Sequence, residues 1–75
     1  MSVIVYTKPH CPECNVLKRF LQDYQIPFEL RDCSEPEHLA AVKNLGFLGV
    51  PVTFVHGTPV QGLQPDAILE LLERE

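Results

Sequence analysis

The stretch VIVYTKPHCPEC, residues 3–14, decides the fold. Its first part, Val3 to Tyr6, is a continuous apolar run, which is typical of a central strand covered on both faces. The motif Cys11-Pro12-Glu13-Cys14 follows closely. Since proline suits the first position of a helix, the pattern predicts a turn over residues 7–11 and a helix that begins directly after Cys11. The two cysteines are therefore expected at a strand-to-helix junction.

Downstream of the motif, the sequence predicts one helix and one strand. Apolar residues recur at helical spacing within residues 12–25, at Val16, Leu17, Phe20, Leu21 and Tyr24. Pro27 closes this helical region. Phe28 and Leu30 then alternate with charged residues, which indicates a second, half-buried strand that ends near Cys33.

The second half of the chain predicts a helix, two strands and a last helix. The segment Ser34-Glu35-Pro36-Glu37 matches a capping box, and Leu39, Val42 and Leu45 form one apolar stripe after it. Residues 50–55 form a third strand, residues 56–57 a tight hairpin turn, and residues around Val60 a fourth strand. Pro59 cannot donate to a ladder, so this strand is expected at a sheet edge. Pro65 and Asp66 suit the first turn of the last helix.

The predicted order is βαβαββα, an α/β arrangement. A strand, helix and strand at the start imply a right-handed parallel crossover, and the late hairpin adds an antiparallel pair. The sheet is therefore expected to be mixed. We find no internal repeat and no linker, so residues 1–75 are expected to form a single domain.

Composition narrows the classes of function. The chain has 75 residues, 45% of them hydrophobic, and a net charge of -4. This charge argues against nucleic acid and anionic lipid as partners. Three cysteines are too few for a secreted disulfide scaffold. With no signal-like leader and no run of the ~20 apolar residues that a membrane span needs, we expect a cytoplasmic monomer that does not contact a membrane.

The Cys-x-x-Cys spacing suits redox chemistry. A thiol reacts as its thiolate, and Cys11 at the N-cap would face free backbone amides and the positive end of the helix dipole. Cys14 lies one helical turn on, where its sulfur can reach that of Cys11. Cys14 could thus resolve a mixed disulfide formed on Cys11. Lys8 and His10 add nearby positive charge, whereas Glu13 opposes a thiolate.

Val50-Pro51 stands at the head of the predicted third strand, and a proline there is awkward because the strand is expected to be internal to the sheet. A cis peptide bond would make a tight turn and leave the Val50 backbone free to pair with an incoming chain. The neighbouring segment Phe47-Leu48-Gly49 is either ordinary core or an exposed apolar contact for a protein partner.

A metal-binding module is the alternative of another class, because half a zinc site also reads Cys-x-x-Cys. It would bind zinc, copper or an iron-sulfur cluster, with ligands drawn from His10, Cys11, Cys14, Cys33 and His38. No second Cys-x-x-Cys completes the set, so we predict no metal ligands and interpret Cys33 as an inert, partly buried thiol.

The segment YTKPHCPEC at residues 6–14, Val50-Pro51-Val52 and Gly62 together resemble the glutaredoxin branch of the thioredoxin fold, over nearly the whole chain. The resemblance implies a thioredoxin-like, glutaredoxin-type fold with a four-stranded mixed sheet and three helices. It makes Cys11 the nucleophile and Cys14 the resolving thiol of a thiol-disulfide oxidoreductase without a bound cofactor. It also implies a cis Pro51 and substrate contacts through Lys8, Pro12, Val50, Pro51 and Gly62.

The segment Gln61-Gly62-Leu63-Gln64-Pro65-Asp66 bears on the electron source. Typical glutaredoxins have Gly-Gly and then Cys-Asp or Ser-Asp here, to hold glutathione. The Gly-x-x-Pro-Asp ending looks more like NrdH-type redoxins. That resemblance implies reduction by thioredoxin reductase with NADPH, protein disulfides as substrates and ribonucleotide reductase as a candidate client. A glutathione-dependent glutaredoxin is the alternative.

Overall fold

Seven elements follow one another in a computed structural model that describes residues 3–47 and 49–74. In chain order they are β1 (Val3–Thr7), α1 (Pro12–Asp23), β2 (Glu29–Asp32), α2 (Pro36–Asn44), β3 (Val52–Val55), β4 (Thr58–Gln61) and α3 (Pro65–Glu73). The predicted order βαβαββα is confirmed. The third strand begins two residues later than expected, at Val52, because Pro51 precedes the ladder.

The strands form a mixed sheet in the order β2-β1-β3-β4. β1 runs parallel to β2 and antiparallel to β3, and β4 pairs with β3 as an antiparallel hairpin. His56 and Gly57 both have positive φ, 52° and 87°, as the predicted tight hairpin turn requires. Pro59 lies on the edge strand β4, where its missing N–H breaks no ladder bond.

Each face of the sheet is covered by helices. On one face, Leu17 and Leu21 of α1 and Ile68 of α3 pack with strand residues into a cluster that also includes Val3, Val5, Val55 and Val60. On the other face, Val42 of α2 packs with Tyr6, Cys33 and Val52. β1 is therefore covered on both sides, as its unbroken apolar run predicts.

Several apolar residues of the predicted faces are exposed. On α1, Leu17 and Leu21 are buried, whereas Val16 is 54% and Tyr24 59% exposed. On α2 only Val42 of the predicted stripe is buried, and Leu39 and Leu45 are at the surface. The expected half-buried strand β2 is mostly exposed, since it lies at a sheet edge and Leu30 is 48% exposed.

The predicted capping box is wrong. Helix α2 begins at Pro36 with Glu35 as its N-cap, and no side chain caps it. Asp32 explains the shift: its carboxylate accepts a hydrogen bond from the Ser34 amide at 2.8 Å, and its carbonyl accepts one from the Glu35 amide at 3.1 Å. These bonds hold Ser34 in the turn before the helix.

Within the described residues, no helix has the length and apolar character needed to cross a membrane. Of the predicted apolar contact Phe47-Leu48-Gly49, Phe47 is half-buried against the α2 side of the core. Leu48 lies outside the described residues.

Candidate active site

The sheet register brings the predicted site residues to one end of the molecule. β1 ends at Thr7, four residues before Cys11, and Tyr6 pairs with Val52, which directly follows Pro51. Val52 also pairs with Gln61, so Gly62 follows at the same end. The loop after β1, the start of β3 and the end of β4 therefore meet at this edge of the sheet.

Cys11 is the N-cap of α1, as the sequence predicts. Its sulfur accepts a hydrogen bond from the Cys14 amide at 3.2 Å, and its carbonyl accepts the first helical bond from Asn15 at 3.1 Å. Pro12 occupies the first turn of the helix, where it costs no hydrogen bond. The sulfur thus lies at the positive end of the helix dipole, where negative charge is stabilised.

Cys14 lies beneath the first turn and is 1% exposed, against 6% for Cys11. Burial raises the pKa of the Cys14 thiol to about 11, and its hydrogen bond to Cys11 and the charge of Cys11 act in the same direction. A backbone hydrogen bond from Lys8 and the ammonium of Lys18 oppose this rise without cancelling it. Both cysteines are free thiols, and at neutral pH Cys14 holds its proton.

The sequence did not predict that the Lys8 backbone and the Lys18 ammonium would act on the Cys14 thiol. Lys18 follows Cys14 by four residues, so their helical spacing alone could have indicated the interaction. The contribution of the Lys8 backbone could not be anticipated in this way. It depends on how the loop between β1 and α1 folds back toward the helix.

Pro51 and Gly62 are held together beside the dithiol. The Val50–Pro51 peptide bond is cis, as predicted. The Gly62 amide donates a hydrogen bond to the Pro51 carbonyl at 2.8 Å. Gly62 has a φ of 84°, in the left-handed region that favours glycine, whereas a Cβ there would meet no atom within 4 Å. Its backbone conformation, not a lack of space, calls for glycine.

The N-terminus of α3 does not form a preorganised anion-binding site. Its N-cap is Gln64, and no side chain caps the helix. Instead, the side-chain Nε2 of Gln64 donates a hydrogen bond to the backbone carbonyl of Gln61 at 2.6 Å. Asp66 adds a carboxylate in the first turn, so the first turn already carries a negative charge.

Potential metal ligands converge elsewhere. Among the described residues, Glu35, Glu37 and His38 at the start of α2 could bring their donor atoms within 4.8 Å of one another. The group is largely exposed, and its histidine already contacts the Glu35 carboxylate at 3.0 Å. Cys11 and Cys14 do not belong to it.

Cys33 lies on the α2 side of the sheet, where its amide donates to the Thr7 carbonyl at 2.7 Å. It is 6% exposed, and burial, with a smaller contribution from Asp32, raises the pKa of its thiol. A thiol held protonated is a poor nucleophile. The burial of Cys33 is thus shown, and its inertness stays a prediction.

Comparison with known proteins identifies the family. The sequence model of the glutaredoxin family matches residues 3–60. The chain belongs to the glutaredoxin family. It is 30% identical to the glutaredoxin-like protein NrdH of Lactococcus lactis subsp. cremoris, over 92% of this chain and 97% of that one. It is 32% identical to the SPbeta prophage-derived thioredoxin-like protein YosR of Bacillus subtilis, over 97% of this chain and 96% of that one.

The fold agrees with this assignment. The structure of NrdH-redoxin from Escherichia coli, a glutaredoxin-like protein with a thioredoxin-like activity profile, superposes with a TM-score of 0.88. The two chains are 29% identical, and the match covers 95% of each. This glutaredoxin therefore has the thioredoxin-like fold that its sequence predicts and is a thiol-disulfide oxidoreductase.

Proposed function

We propose that this glutaredoxin is an NrdH-type dithiol electron carrier that reduces protein disulfides through Cys11 and Cys14 and is itself reduced by thioredoxin reductase. The observation that carries the proposal is the hydrogen bond from the Cys14 amide to the Cys11 sulfur at 3.2 Å. It makes Cys11 the sulfur that can hold negative charge, while the buried Cys14 stays protonated behind it.

In the first step, the Cys11 thiolate attacks one sulfur of the client disulfide. A bond forms between Cys11 and that sulfur, the client S–S bond breaks, and the other client sulfur leaves as a thiolate that takes up a proton. The product is a mixed disulfide. Val50 and Pro51, at the same end of the sheet, are the backbone edge against which the client chain would lie.

In the second step, Cys14 loses its proton and attacks Cys11, which closes the Cys11–Cys14 disulfide and releases the second client thiolate. The mixed disulfide itself assists this step. Once Cys11 is bonded to the client it carries no charge, so two of the causes that raise the pKa of Cys14 are removed. The Lys8 backbone and the Lys18 ammonium then favour the Cys14 thiolate with less opposition.

Two electrons pass from the dithiol to the client, and NADPH restores them through thioredoxin reductase. The start of α3 supports this source over glutathione. The Gln64 side chain donates a hydrogen bond to the Gln61 carbonyl. The chain also lacks the Cys-Asp or Ser-Asp pair of typical glutaredoxins. Ribonucleotide reductase is the client that the sequence resemblance to NrdH-type redoxins implies.

Lys8 favours a second candidate, the glutathione-dependent glutaredoxin. Its side chain is exposed in the loop before Cys11 and, within the described residues, makes no ion pair. An ammonium in this position could contact a glutathione carboxylate, as the family resemblance implies.

Offering the oxidised protein two electron sources separates the candidates. We expect thioredoxin reductase with NADPH to restore both thiols rapidly, and glutathione with glutathione reductase to do so slowly, as measured by NADPH consumption and thiol titration. Cys11→Ser serves as the control and should consume no NADPH in either system. Rapid reduction by glutathione alone would reverse the assignment. Electron delivery to ribonucleotide reductase is then measured as deoxyribonucleotide formation with the reduced carrier as sole donor.

A further inference from the structure

An open groove of ≈ 300 Å³ lies on α1, next to the face that packs on the sheet. Its apolar lining comes from Val16, Phe20 and Tyr24. Val16 is 54% and Tyr24 59% exposed, and the ring centroids of Phe20 and Tyr24 lie 4.8 Å apart. Because residues four apart are neighbours on the surface of a helix, the three side chains form one apolar row.

Two charged residues, Arg19 and Asp23, complete the lining of this groove. We call the five lining residues the α1 patch. Arg19 and Asp23 are exposed, and within the described residues neither makes an ion pair, with the other or elsewhere. Arg31 and Arg74, in contrast, pair with carboxylates at 2.6 and 2.7 Å. The α1 patch therefore offers a guanidinium and a carboxylate to a partner.

The α1 patch is complementary to itself. Val16 and Tyr24 lie four residues before and four residues after Phe20. A second copy with its α1 antiparallel, on a two-fold axis at Phe20, would thus set each Val16 against the Tyr24 of the other copy. Arg19 and the opposite Asp23 would lie about 3 Å apart along the helix axis, which an arginine side chain spans. Because each copy supplies both charges, the contact would contain two reciprocal ion pairs.

We propose that two copies of this chain associate through the α1 patch into a symmetric dimer, with their α1 helices antiparallel and Arg19 of each copy paired with Asp23 of the other. The dimer takes the place of the monomer expected from the sequence, and it does not depend on the proposed redox function. One helix from each copy is a small contact, so we expect a Kd of about 0.1 to 1 mM. Cys11 precedes Phe20 by nine residues, so the two dithiols would lie at opposite ends of the helix pair and remain open to clients.

Sedimentation equilibrium of the reduced protein measures the association. A reducing agent keeps the cysteines as thiols, so disulfide-linked dimers do not contribute. We expect the weight-average mass to rise from that of one chain toward that of two as the protein concentration increases from about 0.02 to about 2 mM. A mass that stays at one chain throughout would overturn the dimer. So would growth beyond two chains, because a closed two-fold contact leaves no patch free.

Charge exchange tests whether the α1 patch is the surface involved. Arg19→Asp and Asp23→Arg each bring like charges together twice in the dimer, so each should raise the Kd about tenfold. The double variant Arg19→Asp/Asp23→Arg restores both pairs with their charges exchanged and should return the Kd to within about threefold of the wild type. Lys43→Asp, at an exposed residue of α2 outside the patch, matches the charge change of Arg19→Asp and should leave the Kd within about twofold. A double variant that fails to restore association, or an equal loss in Lys43→Asp, would contradict the proposal.

Disulfide cross-linking tests the antiparallel arrangement. In protein with both motif cysteines changed to Ser, Val16→Cys and Tyr24→Cys are made as separate variants and mixed under mild oxidation. The two Val16 positions of the dimer would lie about 12 Å apart along the helix axis, so the mixture should form cross-linked dimers much faster than either variant alone. Asn15→Cys, exposed on α1 and outside the patch, is mixed with Tyr24→Cys as the control and should cross-link slowly. A mixture no faster than the single variants or the control would refute the arrangement. None of these measurements uses the redox activity of the motif, so its failure leaves their outcome intact.

Discussion

The Cys14 amide donates a hydrogen bond to the Cys11 sulfur at 3.2 Å, while the Cys14 side chain lies almost completely buried beneath the same helical turn. Cys14 therefore contacts the proposed nucleophile, Cys11, through its backbone amide and supplies the proposed resolving thiol through its side chain. The short spacing of the motif makes both contacts available within one turn. This asymmetry separates the two sulfurs chemically although they are close in sequence.

Substitution of the two cysteines should have different outcomes. Cys14→Ser retains the attacking thiol, so it is expected to accumulate a mixed disulfide with a peptide disulfide, whereas Cys11→Ser should form none. Intact-mass spectrometry under non-reducing conditions measures the adduct. The double variant Cys11→Ser/Cys14→Ser controls for capture by Cys33 and should remain unmodified. An adduct on Cys11→Ser would show that Cys14 attacks first.

Alkylation should distinguish the thiols by pH. Because the pKa of Cys14 is raised to about 11, iodoacetamide at neutral pH is expected to modify Cys11 and spare Cys14. Modification of Cys14 should accelerate as the pH approaches about 11. Peptide mapping of reduced protein after brief labelling gives the rate at each site. Labelling of Cys14 at neutral pH as fast as that of Cys11 would contradict this order.

The same pKa shift links folding stability to pH. The pKa of Cys14 rises from 9.0 to about 11 on folding, so the unfolded chain loses this proton first. The stabilising contribution is complete below about pH 9 and is lost as the pH rises through about 11. Urea unfolding of reduced protein should therefore show a steeper alkaline loss in the wild type than in Cys14→Ala. Parallel pH profiles for the two proteins would refute the linkage.

The two sides of α1 offer a matched pair of stability variants. Leu17 is fully buried, so Leu17→Ala should lower the free energy of unfolding by about 3 kcal/mol. Val16 is the adjacent control and is 54% exposed. Val16→Ala should change stability by less than about 0.5 kcal/mol. Equal losses in urea denaturation would mean that the helix presents a different face to the sheet.

At Thr53 on β3, one substitution is expected to raise the free energy of unfolding rather than lower it. Its side chain is fully buried, and within the described residues its hydroxyl has no hydrogen-bond partner. Thr53→Val keeps the branched shape and removes the unpaired hydroxyl, so it should raise the free energy of unfolding by about 1 kcal/mol. Thr53→Ala, which leaves a small void instead, should lower it. A destabilised Thr53→Val protein would indicate that the hydroxyl is bonded in solution.

Much of the architecture follows from local sequence. The position of Cys11 as N-cap could be predicted because Pro12 fixes where a helix can begin. The edge position of β4 could be predicted because Pro59 cannot donate to a ladder. The helix faces were less predictable. Val16 and Tyr24 share the helical spacing of the core residues but are exposed, since the width of the buried stripe depends on what packs against it.

The sequence by itself determined the kind of chemistry and its frame: two thiols at a strand-to-helix junction, the order of the elements and a mixed sheet. Local rules of helix starts, turns and alternation are sufficient for these features. Only the tertiary structure decided the surroundings of the thiols, including the burial that raises the pKa of Cys14 and the cavity of ≈ 370 Å³ that both Lys8 and Lys43 line. Desolvation and charge clustering arise between distant segments, and no local pattern specifies them.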